Sequence, residues 1–202
     1  MFSSPRRAIA AASAAAVLVL AGCGSSGTAA VGSAPGPAAA SSNAATGSGA
    51  VAAPADTAEQ AAWKKLPITD VSGKTFTIGD LQGKPVFVQF FATWCPSCRA
   101  QLTSTNAAAQ QAGGNAVVLA LSVETELDVA DVAKYSSDNN FDAVTFAVMS
   151  PEMLAAVVAA FGNNAANPPS TPHVLVSSSG AVGELSTGAE ATDAITASLT
   201  SA

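Results

Sequence analysis

The sequence predicts an α/β domain built on a mostly parallel sheet, and three observations support that class. Apolar runs of strand length alternate with helix-like segments between residues 66 and 202. Two of these runs, 86–91 and 116–123, are almost continuously apolar, as is typical of strands covered on both faces. The alternation favours parallel pairing in the core of the sheet. A turn sequence near residue 180 predicts a closing hairpin, which adds antiparallel strands and makes the sheet mixed.

The composition argues against some classes of partner and limits the folded part to about one domain. The 202 residues carry a net charge of -6 and only eight lysines and arginines, which argues against nucleic acid or an anionic membrane surface as a partner. Alanine, glycine, serine and proline dominate the first quarter and supply little core. The remainder has the length of about one domain. Three cysteines and one histidine are few enough that each needs its own explanation.

Residues 1–22 have the pattern of an export signal. Arg6 and Arg7 precede an apolar run, Ile9–Leu20, that is too short to span a membrane as a mature helix. The run ends in the sequence LAGC at 20–23, which resembles the lipobox of bacterial lipoproteins. That resemblance implies cleavage before Cys23 and acylation of the new N-terminus, and an ordinary signal peptide is the alternative. The surrounding residues fit a twin-arginine signal poorly, so we expect Sec export.

The stretch 23–60 is predicted to be a disordered tether. It is rich in serine, alanine, glycine and proline, and it cannot bury enough apolar surface to offset the entropy cost of ordering. As a flexible chain it has an end-to-end distance of about 30 Å, from ~5–6 Å times the square root of its length. Several acyl chains on Cys23 would give stable anchoring. We therefore expect the folded domain, 61–202, to be held off a membrane.

The elements of that domain follow from apolar periodicity and turn residues. In its first half the sequence predicts a hairpin of Leu66–Thr69 and Lys74–Ile78, a loop or helical turn at 79–85, a strand at Val86–Phe91, a helix at Cys98–Gln111 and a strand at Ala116–Val123. In its second half it predicts a helix at Leu127–Ser137, a strand at Val144–Val148, a helix from Pro151 to about Phe161, a hairpin of Val174–Val176 with Ala181–Leu185, and a terminal helix from Ala189.

The sequence Cys95-Pro96-Ser97-Cys98 joins the Val86–Phe91 strand to the next helix. If Cys98 sits in the first helical turn, Cys95 lies where unpaired N–H groups and the positive end of the helix dipole stabilise a thiolate. Pro96 suits an early helical position because it has no N–H group. Since the thiolate is the attacking species in disulfide exchange, the pattern predicts a redox-active dithiol.

Two structural alternatives compete with that interpretation. A purely structural disulfide between Cys95 and Cys98 closes too short a loop to stabilise the fold much, although an exported compartment tolerates it. A zinc site needs about four ligands, and the domain has only two cysteines and His173 to offer. We therefore expect neither a resident metal nor a cofactor.

Three segments carry a family resemblance. They are Gly83–Arg99, with its entry strand and Trp-Cys-Pro-Ser-Cys sequence, the lead-in at 80–85, and Ser170–Val176, where a proline starts an apolar strand before a glycine turn. Together they resemble the TlpA/ResA-like extracytoplasmic thiol-disulfide oxidoreductases of the thioredoxin superfamily, from about Leu66 to the C-terminus. The resemblance implies a thioredoxin-like three-layer α/β/α sandwich with a central mixed sheet and an N-terminal β-hairpin.

The resemblance also implies roles at the dithiol. Cys95 would be the attacking cysteine and Cys98 the resolving one. Pro172 would be cis and packed against the dithiol, a geometry that costs only ~0.5–1 kcal/mol. Pro168 and Pro169 are rival cis candidates, and Pro172 fits the family spacing best.

Substrate-binding residues are expected around the two cysteines. Trp94 and Pro96 would form one wall, and the backbone of Thr171, beside Pro172, would pair with an extended substrate. Simple packing at the strand end is the alternative role for Trp94. Arg99 either favours the thiolate electrostatically or is a solvated helix charge.

Two positions depart from the family pattern. Many relatives carry a buried carboxylate six residues before the first cysteine, where this chain has Gln89. ResA-like members have a glutamate three residues after the second cysteine, where this chain has Gln101. Glutamine does not ionise, so neither residue can act as a general base. We expect either a slower resolving step at neutral pH or tuning toward substrates that need less base assistance.

His173 allows a second function. It follows the predicted cis-proline, so it could tune the thiolate or bind Cu(I) together with Cys95 and Cys98, since thiolates favour that soft metal. A histidine facing solvent is the alternative. The copper function is that of a thioredoxin-fold chaperone related to the SCO proteins, which use a CxxxC motif rather than CxxC. A peroxiredoxin-like activity lacks the required threonine three residues before either cysteine.

These observations predict a membrane-anchored extracytoplasmic thiol:disulfide oxidoreductase. It would exchange disulfides with exported proteins, such as apocytochrome c or proteins with wrong disulfides, through Cys95 and Cys98. We expect a monomer, lipid-anchored on the extracytoplasmic face of the cell membrane, with a membrane redox partner of the DsbD/CcdA kind and no nucleic acid.

Overall fold

Secondary structure is described here for residues 55–202 of a computed structural model. The predicted signal, Cys23 and the tether as far as residue 54 lie outside the described residues. The helices and strands, in chain order, are α1 (Ala58–Trp63), β1 (Ile68–Thr69), β2 (Thr75–Phe76), β3 (Val86–Phe91), α2 (Pro96–Ala112), β4 (Val117–Ser122), α3 (Val129–Asp138), β5 (Thr145–Val148), α4 (Pro151–Phe161), β6 (His173–Val176) and α5 (Thr192–Ser201). Within 55–202, every helix is too short or too polar to cross a membrane.

The main sheet has the strand order β5-β4-β3-β6. Strand β3 pairs in parallel with β4, and β4 pairs in parallel with β5. On its other side β3 pairs antiparallel with β6, in a register that puts Gln89 opposite His173. Every residue of β3 is buried, because helices cover both faces of the sheet. The predicted mixed sheet and its central strand are confirmed.

The side chains of β3 alternate between two cores, one on each face of the sheet. Phe87 and Phe91 pack with α2, α3 and α5, whereas Val88 and Phe90 pack with α1 and α4. This alternation places Gln89 on the same face as α2. The domain is therefore the three-layer α/β/α sandwich that the sequence predicts, with the small antiparallel β1–β2 hairpin at its N-terminal side.

The predicted partner strand at Ala181–Leu185 is wrong, because the segment forms only isolated bridges. Val182 lies opposite Val176, and Ser186 lies opposite His173. Between these two bridges, the segment is four residues long from Val182 to Ser186, whereas β6 is three residues long from His173 to Val176. The segment therefore has one extra residue, which interrupts the ladder as in a β-bulge. Gly183 sits at this point, and a Cβ there would lie 2.9 Å from the carbonyl oxygen of Leu175. The close approach of the two backbones explains the glycine.

Helical structure is already present before the predicted boundary at residue 61. Helix α1 starts at Ala58, and Thr57 and Gln60 bond to each other's backbone N–H groups in a capping box. Ahead of the helix, the carboxylate of Asp56 accepts a hydrogen bond from the N–H of Val182 and pairs with Lys64. Residues 56–60 therefore belong to the folded domain, because their polar groups bond to it.

Candidate active site

The two cysteines lie where β3 passes into α2. Cys95 is the N-cap of α2 and Pro96 is its first residue, so the helix begins two residues earlier than predicted. The N–H of Cys98 points back at Cys95 and donates to its sulfur across 3.2 Å. Cys95 and Cys98 are joined by a disulfide, with their Cα atoms 5.3 Å apart. A helix N-cap stabilises negative charge, so this geometry supports the predicted stabilisation of a Cys95 thiolate after reduction.

The disulfide is buried, whereas the tryptophan that precedes it in the chain is exposed. Only 1% of Cys95 and 0% of Cys98 is accessible to solvent, whereas 62% of Trp94 is exposed. A small pocket of about 90 Å³ opens beside Cys95, between Trp94 and Arg99. The sequence predicts a reachable attacking sulfur, but in the oxidised protein Cys95 is almost completely buried.

A short turn from the far end of the chain covers Cys98. The 3-10 turn Pro168–Ser170 brings the carbonyl oxygen of Pro168 to 3.1 Å from the sulfur of Cys98. Beside it, the hydroxyl of Ser97 donates to the carbonyl oxygen of Pro169 across 3.2 Å. In the reduced protein the Cys98 thiol has a proton to donate to Pro168, and in the disulfide it has none.

Thr171 does not offer the free backbone groups that the sequence predicts for substrate pairing. Its N–H donates to the carbonyl oxygen of Pro168 across 2.8 Å, and its own carbonyl oxygen lies 2.9 Å from Nδ1 of His173. The residue is 2% exposed, so the turn must open before an extended substrate can pair with it. Pro172 is buried beside it and accepts a hydrogen bond from the N–H of Phe90. The predicted cis bond at Pro172 stays a prediction.

Gln89 and Gln101 join a buried polar network under Cys98. The side-chain N–H of Gln89 donates to the carbonyl oxygen of Cys98, and the Gln89 oxygen accepts from the Thr105 hydroxyl. The Gln101 oxygen accepts from the backbone N–H of Glu190 across 2.7 Å. Both glutamines are almost fully buried, and their bonds satisfy them without ionisation. These two glutamines are the residues at which the sequence departs from the family pattern, and both belong to the network next to the second cysteine.

His173 is buried, and each of its ring nitrogens lies near an oxygen atom. It is 3% exposed, which overturns the solvent-facing alternative. Its Nδ1 contacts the carbonyl oxygen of Thr171, and its Nε2 lies 3.2 Å from a carboxylate oxygen of Glu190. Among residues 55–202, no group of three or more histidine, cysteine, aspartate or glutamate residues is placed to hold a metal ion. The predicted Cu(I) site of Cys95, Cys98 and His173 is therefore not supported.

Glu124 is a site residue that the sequence reasoning missed. It follows β4, and its carboxylate accepts hydrogen bonds from the N–H of Thr93 across 2.6 Å and from the Thr93 hydroxyl across 2.9 Å. Thr93 begins the turn that carries Trp94 and Cys95, so Glu124 anchors that turn. The available signal was its position after a buried strand parallel to β3, because the carboxyl ends of neighbouring parallel strands meet at one edge.

Arg99 is exposed on α2, and no ion pair to it is found within 55–202. Burial raises the pKa of the nearby Tyr135 hydroxyl, Arg99 opposes the increase, and Glu124 adds to it. Arg99 is thus an exposed positive charge one residue after Cys98, which fits both of its predicted roles.

The fold and this disulfide define a thioredoxin-like redox domain. The Redoxin family matches residues 44–199, and the chain belongs to that family. Thiol-disulfide oxidoreductase ResA of Bacillus anthracis is 36% identical over 55 residues, which are 26% of this chain and 32% of that protein. The chain spans less than half the length of the curated relatives it matches.

Solved structures show the same fold. A secreted Mycobacterium tuberculosis disulfide oxidoreductase homologous to E. coli DsbE superposes with a TM-score of 0.56 at 20% identity, over 70% of this chain and 98% of that one. The pneumococcal exposed lipoprotein thioredoxin Etrx1 of Streptococcus pneumoniae superposes with a TM-score of 0.54 at 24% identity, over 68% and 98%. These likenesses and the family match confirm the predicted family and fold.

Proposed function

We propose that this protein is a membrane-anchored, extracytoplasmic thiol-disulfide oxidoreductase that exchanges disulfides with exported proteins. The observation that carries the proposal is the Cys95–Cys98 disulfide at the N-terminus of α2, with Cys95 as the N-cap. A disulfide that closes so short a loop contributes little to stability. Its position at a helix N-terminus instead suits reversible exchange.

The reaction follows from the two positions. In the reducing direction, the Cys95 thiolate attacks a substrate disulfide, forms a mixed disulfide and releases a substrate thiolate, which takes up a proton. The Cys98 thiol then loses its proton and attacks the Cys95 sulfur. That step forms the intramolecular disulfide and releases the second substrate thiolate. Two electrons have passed to the substrate, and the oxidising direction is the reverse sequence.

Several side chains of the site support this reaction. The Cys98 N–H stabilises negative charge on Cys95 as the mixed disulfide forms and breaks. Exposed Trp94 offers an apolar surface to a protein substrate next to the sulfur it must reach. Thr171 and Pro172 would contact the substrate backbone once the Pro168–Ser170 turn opens.

The test separates the two cysteines. We expect the wild-type domain to speed the reduction of insulin by dithiothreitol, and Cys95→Ser to abolish this activity. Cys98→Ser should trap a mixed disulfide with the substrate through Cys95, whereas Cys95→Ser should trap none. The variant Ser137→Ala, at an exposed position on α3 away from the cysteines, serves as a control for handling. Wild-type protein that does not exchange, or mixed disulfides formed equally by both variants, would contradict the proposal.

Anchoring through Cys23 rests on the sequence and on one similar structure. The LAGC sequence at 20–23 ends an apolar run. The similar protein Etrx1 is an exposed lipoprotein. We propose diacylglyceryl modification of Cys23 and a membrane redox partner of the DsbD/CcdA kind. Mass spectrometry of the mature N-terminus should show acyl chains on Cys23. Cys23→Ala should move the protein from the membrane fraction to the soluble exported fraction, and an unchanged distribution would contradict anchoring.

A further inference from the structure

The turn over Cys98 is held in an unfavourable conformation. Thr171 has φ 49° and ψ 55°, in the left-handed region that β-branched residues rarely adopt. Its hydroxyl is buried and has no hydrogen-bond partner among residues 55–202. Both features cost free energy, so other contacts must hold Thr171 in place.

A chain of three contacts holds the turn against the sulfur. His173 Nδ1 lies 2.9 Å from the Thr171 carbonyl oxygen, the Thr171 N–H donates to the Pro168 carbonyl oxygen, and that oxygen lies 3.1 Å from the Cys98 sulfur. A carbonyl oxygen only accepts, so the first contact requires a proton on Nδ1. The turn is therefore held in part by an N–H at Nδ1 of His173. The Gly188 N–H, which donates to the Ser170 carbonyl oxygen across 2.8 Å, also holds it.

The other ring nitrogen meets a second acceptor. Nε2 of His173 lies 3.2 Å from a carboxylate oxygen of Glu190, at an angle outside hydrogen-bond geometry, so Glu190 attracts the ring through charge only when the ring is protonated. A neutral imidazole carries only one N–H, whereas two acceptors face its two nitrogens. Both contacts are favourable together only when the imidazole is protonated. If pH rises until that proton is lost, the charged carboxylate of Glu190 is the stronger acceptor for the one remaining N–H. The Nδ1 lone pair then faces the Thr171 carbonyl oxygen, and that contact is lost.

The other groups around the His173 ring show that Glu190 is its charged neighbour. The Phe87 ring stacks on His173 with a centroid distance of 5.0 Å, and Gln89 lies opposite it on β3. The ionisable groups on the neighbouring helices are Cys95, Cys98 and Arg99 at the start of α2 and Asp193 in α5. Within residues 55–202, Glu190 is the one acidic side chain at ion-pair distance from the ring. Its carboxylate is 33% exposed and can exchange protons with water, whereas the His173 side chain is 4% exposed.

We propose that His173 and Glu190 are positioning residues that latch the Pro168–Thr171 turn over Cys98, and that loss of the His173 proton releases the latch. The latch regulates the site assigned under the proposed function and rests on that assignment. With the imidazole protonated, the turn covers Cys98 and occupies both backbone groups of Thr171. Release frees those groups for an extended substrate and uncovers the resolving sulfur.

The test measures access to Cys98 directly. In the full chain carrying Cys95→Ser, the rate of alkylation of Cys98 by iodoacetamide is followed from about pH 5.5 to about pH 8.5, across the range where histidine titrates. Each rate is divided by the thiolate fraction measured from ultraviolet absorbance. We expect this corrected rate to rise about fivefold or more across the interval as the latch opens.

Three further substitutions identify the latch. His173→Phe keeps the stacking on Phe87 but removes both ring nitrogens, so the corrected rate should be high at every pH. Glu190→Gln removes the charge and offers an amide N–H to unprotonated Nε2, so the corrected rate should stay low and flat. Glu184→Gln neutralises an exposed acid in the same segment and should match the parent.

The alkylation rates test the latch, and a different assay tests the oxidoreductase activity. A corrected rate independent of pH in the parent, or a Glu190→Gln profile equal to that of the parent, would overturn the latch. If His173→Phe does not fold, as judged by circular dichroism, Glu190→Gln still decides. Insulin reduction by the protein with both cysteines tests the oxidoreductase activity, and its absence would leave the alkylation result standing as a property of the fold.

Discussion

The backbone N–H of Cys98 donates to the sulfur of Cys95 across 3.2 Å, within the first turn of α2. This contact does not depend on a charged side chain, because it comes from the N-cap geometry of a Cys-Pro-Ser-Cys sequence. It gives Cys95 a hydrogen-bond donor at the point where negative charge develops during exchange. Cys98 receives instead the carbonyl oxygen of Pro168, an acceptor that favours the protonated thiol.

This asymmetry predicts different reactivity of the two reduced cysteines. In Cys98→Ser, Cys95 should be alkylated at a lower pH than free cysteine, because its thiolate is stabilised. In Cys95→Ser, Cys98 should react at a higher pH than Cys95 does. Alkylation rates over pH measure both values. Equal profiles for the two variants would show that the N-cap contact has no effect on ionisation.

Trp94 should matter for protein substrates and not for stability. It is the most exposed large apolar side chain among the described residues, so Trp94→Ala should change the free energy of unfolding by less than about 0.5 kcal/mol. We expect it to slow insulin reduction several-fold, while reduction of the Cys95–Cys98 disulfide by dithiothreitol stays near the wild-type rate. Urea unfolding and the two kinetic assays provide the comparison. A parallel loss in both assays would point to distortion of the disulfide.

Glu124 should stabilise the turn that carries the cysteines. Glu124→Ala removes the acceptor for the Thr93 N–H and hydroxyl, and we expect a loss of about 1–3 kcal/mol in the free energy of unfolding together with slower exchange. Glu126→Ala is the matched control, because that side chain is exposed two residues further along. Urea denaturation measures both variants. Equal free energies of unfolding for Glu124→Ala and Glu126→Ala would show that Glu124 does not stabilise this turn.

Asp70 should make stability depend on acid pH. Burial opposes ionisation of its carboxyl, but hydrogen bonds from Ser72 and Lys74 outweigh burial and lower the pKa of Asp70 below its ordinary value of 3.8. The contribution of a carboxyl with a lowered pKa is present above pH 3.8 and is lost as pH falls through the folded-state value. Asp70→Asn should therefore reduce the free energy of unfolding by about 1–2 kcal/mol at pH 7, and by progressively less as the pH falls below 3.8. Asp142→Asn, at an exposed position, should show no such pH-dependent difference.

The N-terminal end of the domain should lie before residue 61. A chain that begins at residue 55 retains the capping box of Thr57 and the contacts of Asp56 with Lys64 and Val182. A chain that begins at residue 61 loses both, and we expect it to be less stable by about 1–3 kcal/mol in urea. In the longer chain, Thr57→Ala should account for about 1 kcal/mol of that difference. Equal stability of the two chains would show that the domain begins at residue 61, as the sequence predicts.

Local sequence signals predicted most of the fold. The strand Val86–Phe91 was predicted with its observed bounds, and the helix Pro151–Phe161 was predicted from its serine N-cap and first-turn proline. Helix α1 was missed although its capping box is visible in the sequence, because the composition of the preceding stretch outweighed it. The partner strand after β6 was predicted in error, since a one-residue bulge leaves no trace in an apolar pattern.

By itself, the sequence determined the class of the domain, the position of the dithiol after the central strand and the absence of carboxylates at Gln89 and Gln101. These depend on hydrophobic period, helix-start signals and residue identity, all of which are local. Only the tertiary structure decided that Pro168 covers Cys98, that Glu124 anchors Thr93 and that Glu190 faces His173. The first of these contacts spans 70 residues of sequence. Such contacts arise because the strand order brings distant loops to one edge of the sheet, and no local pattern specifies which loops will meet there.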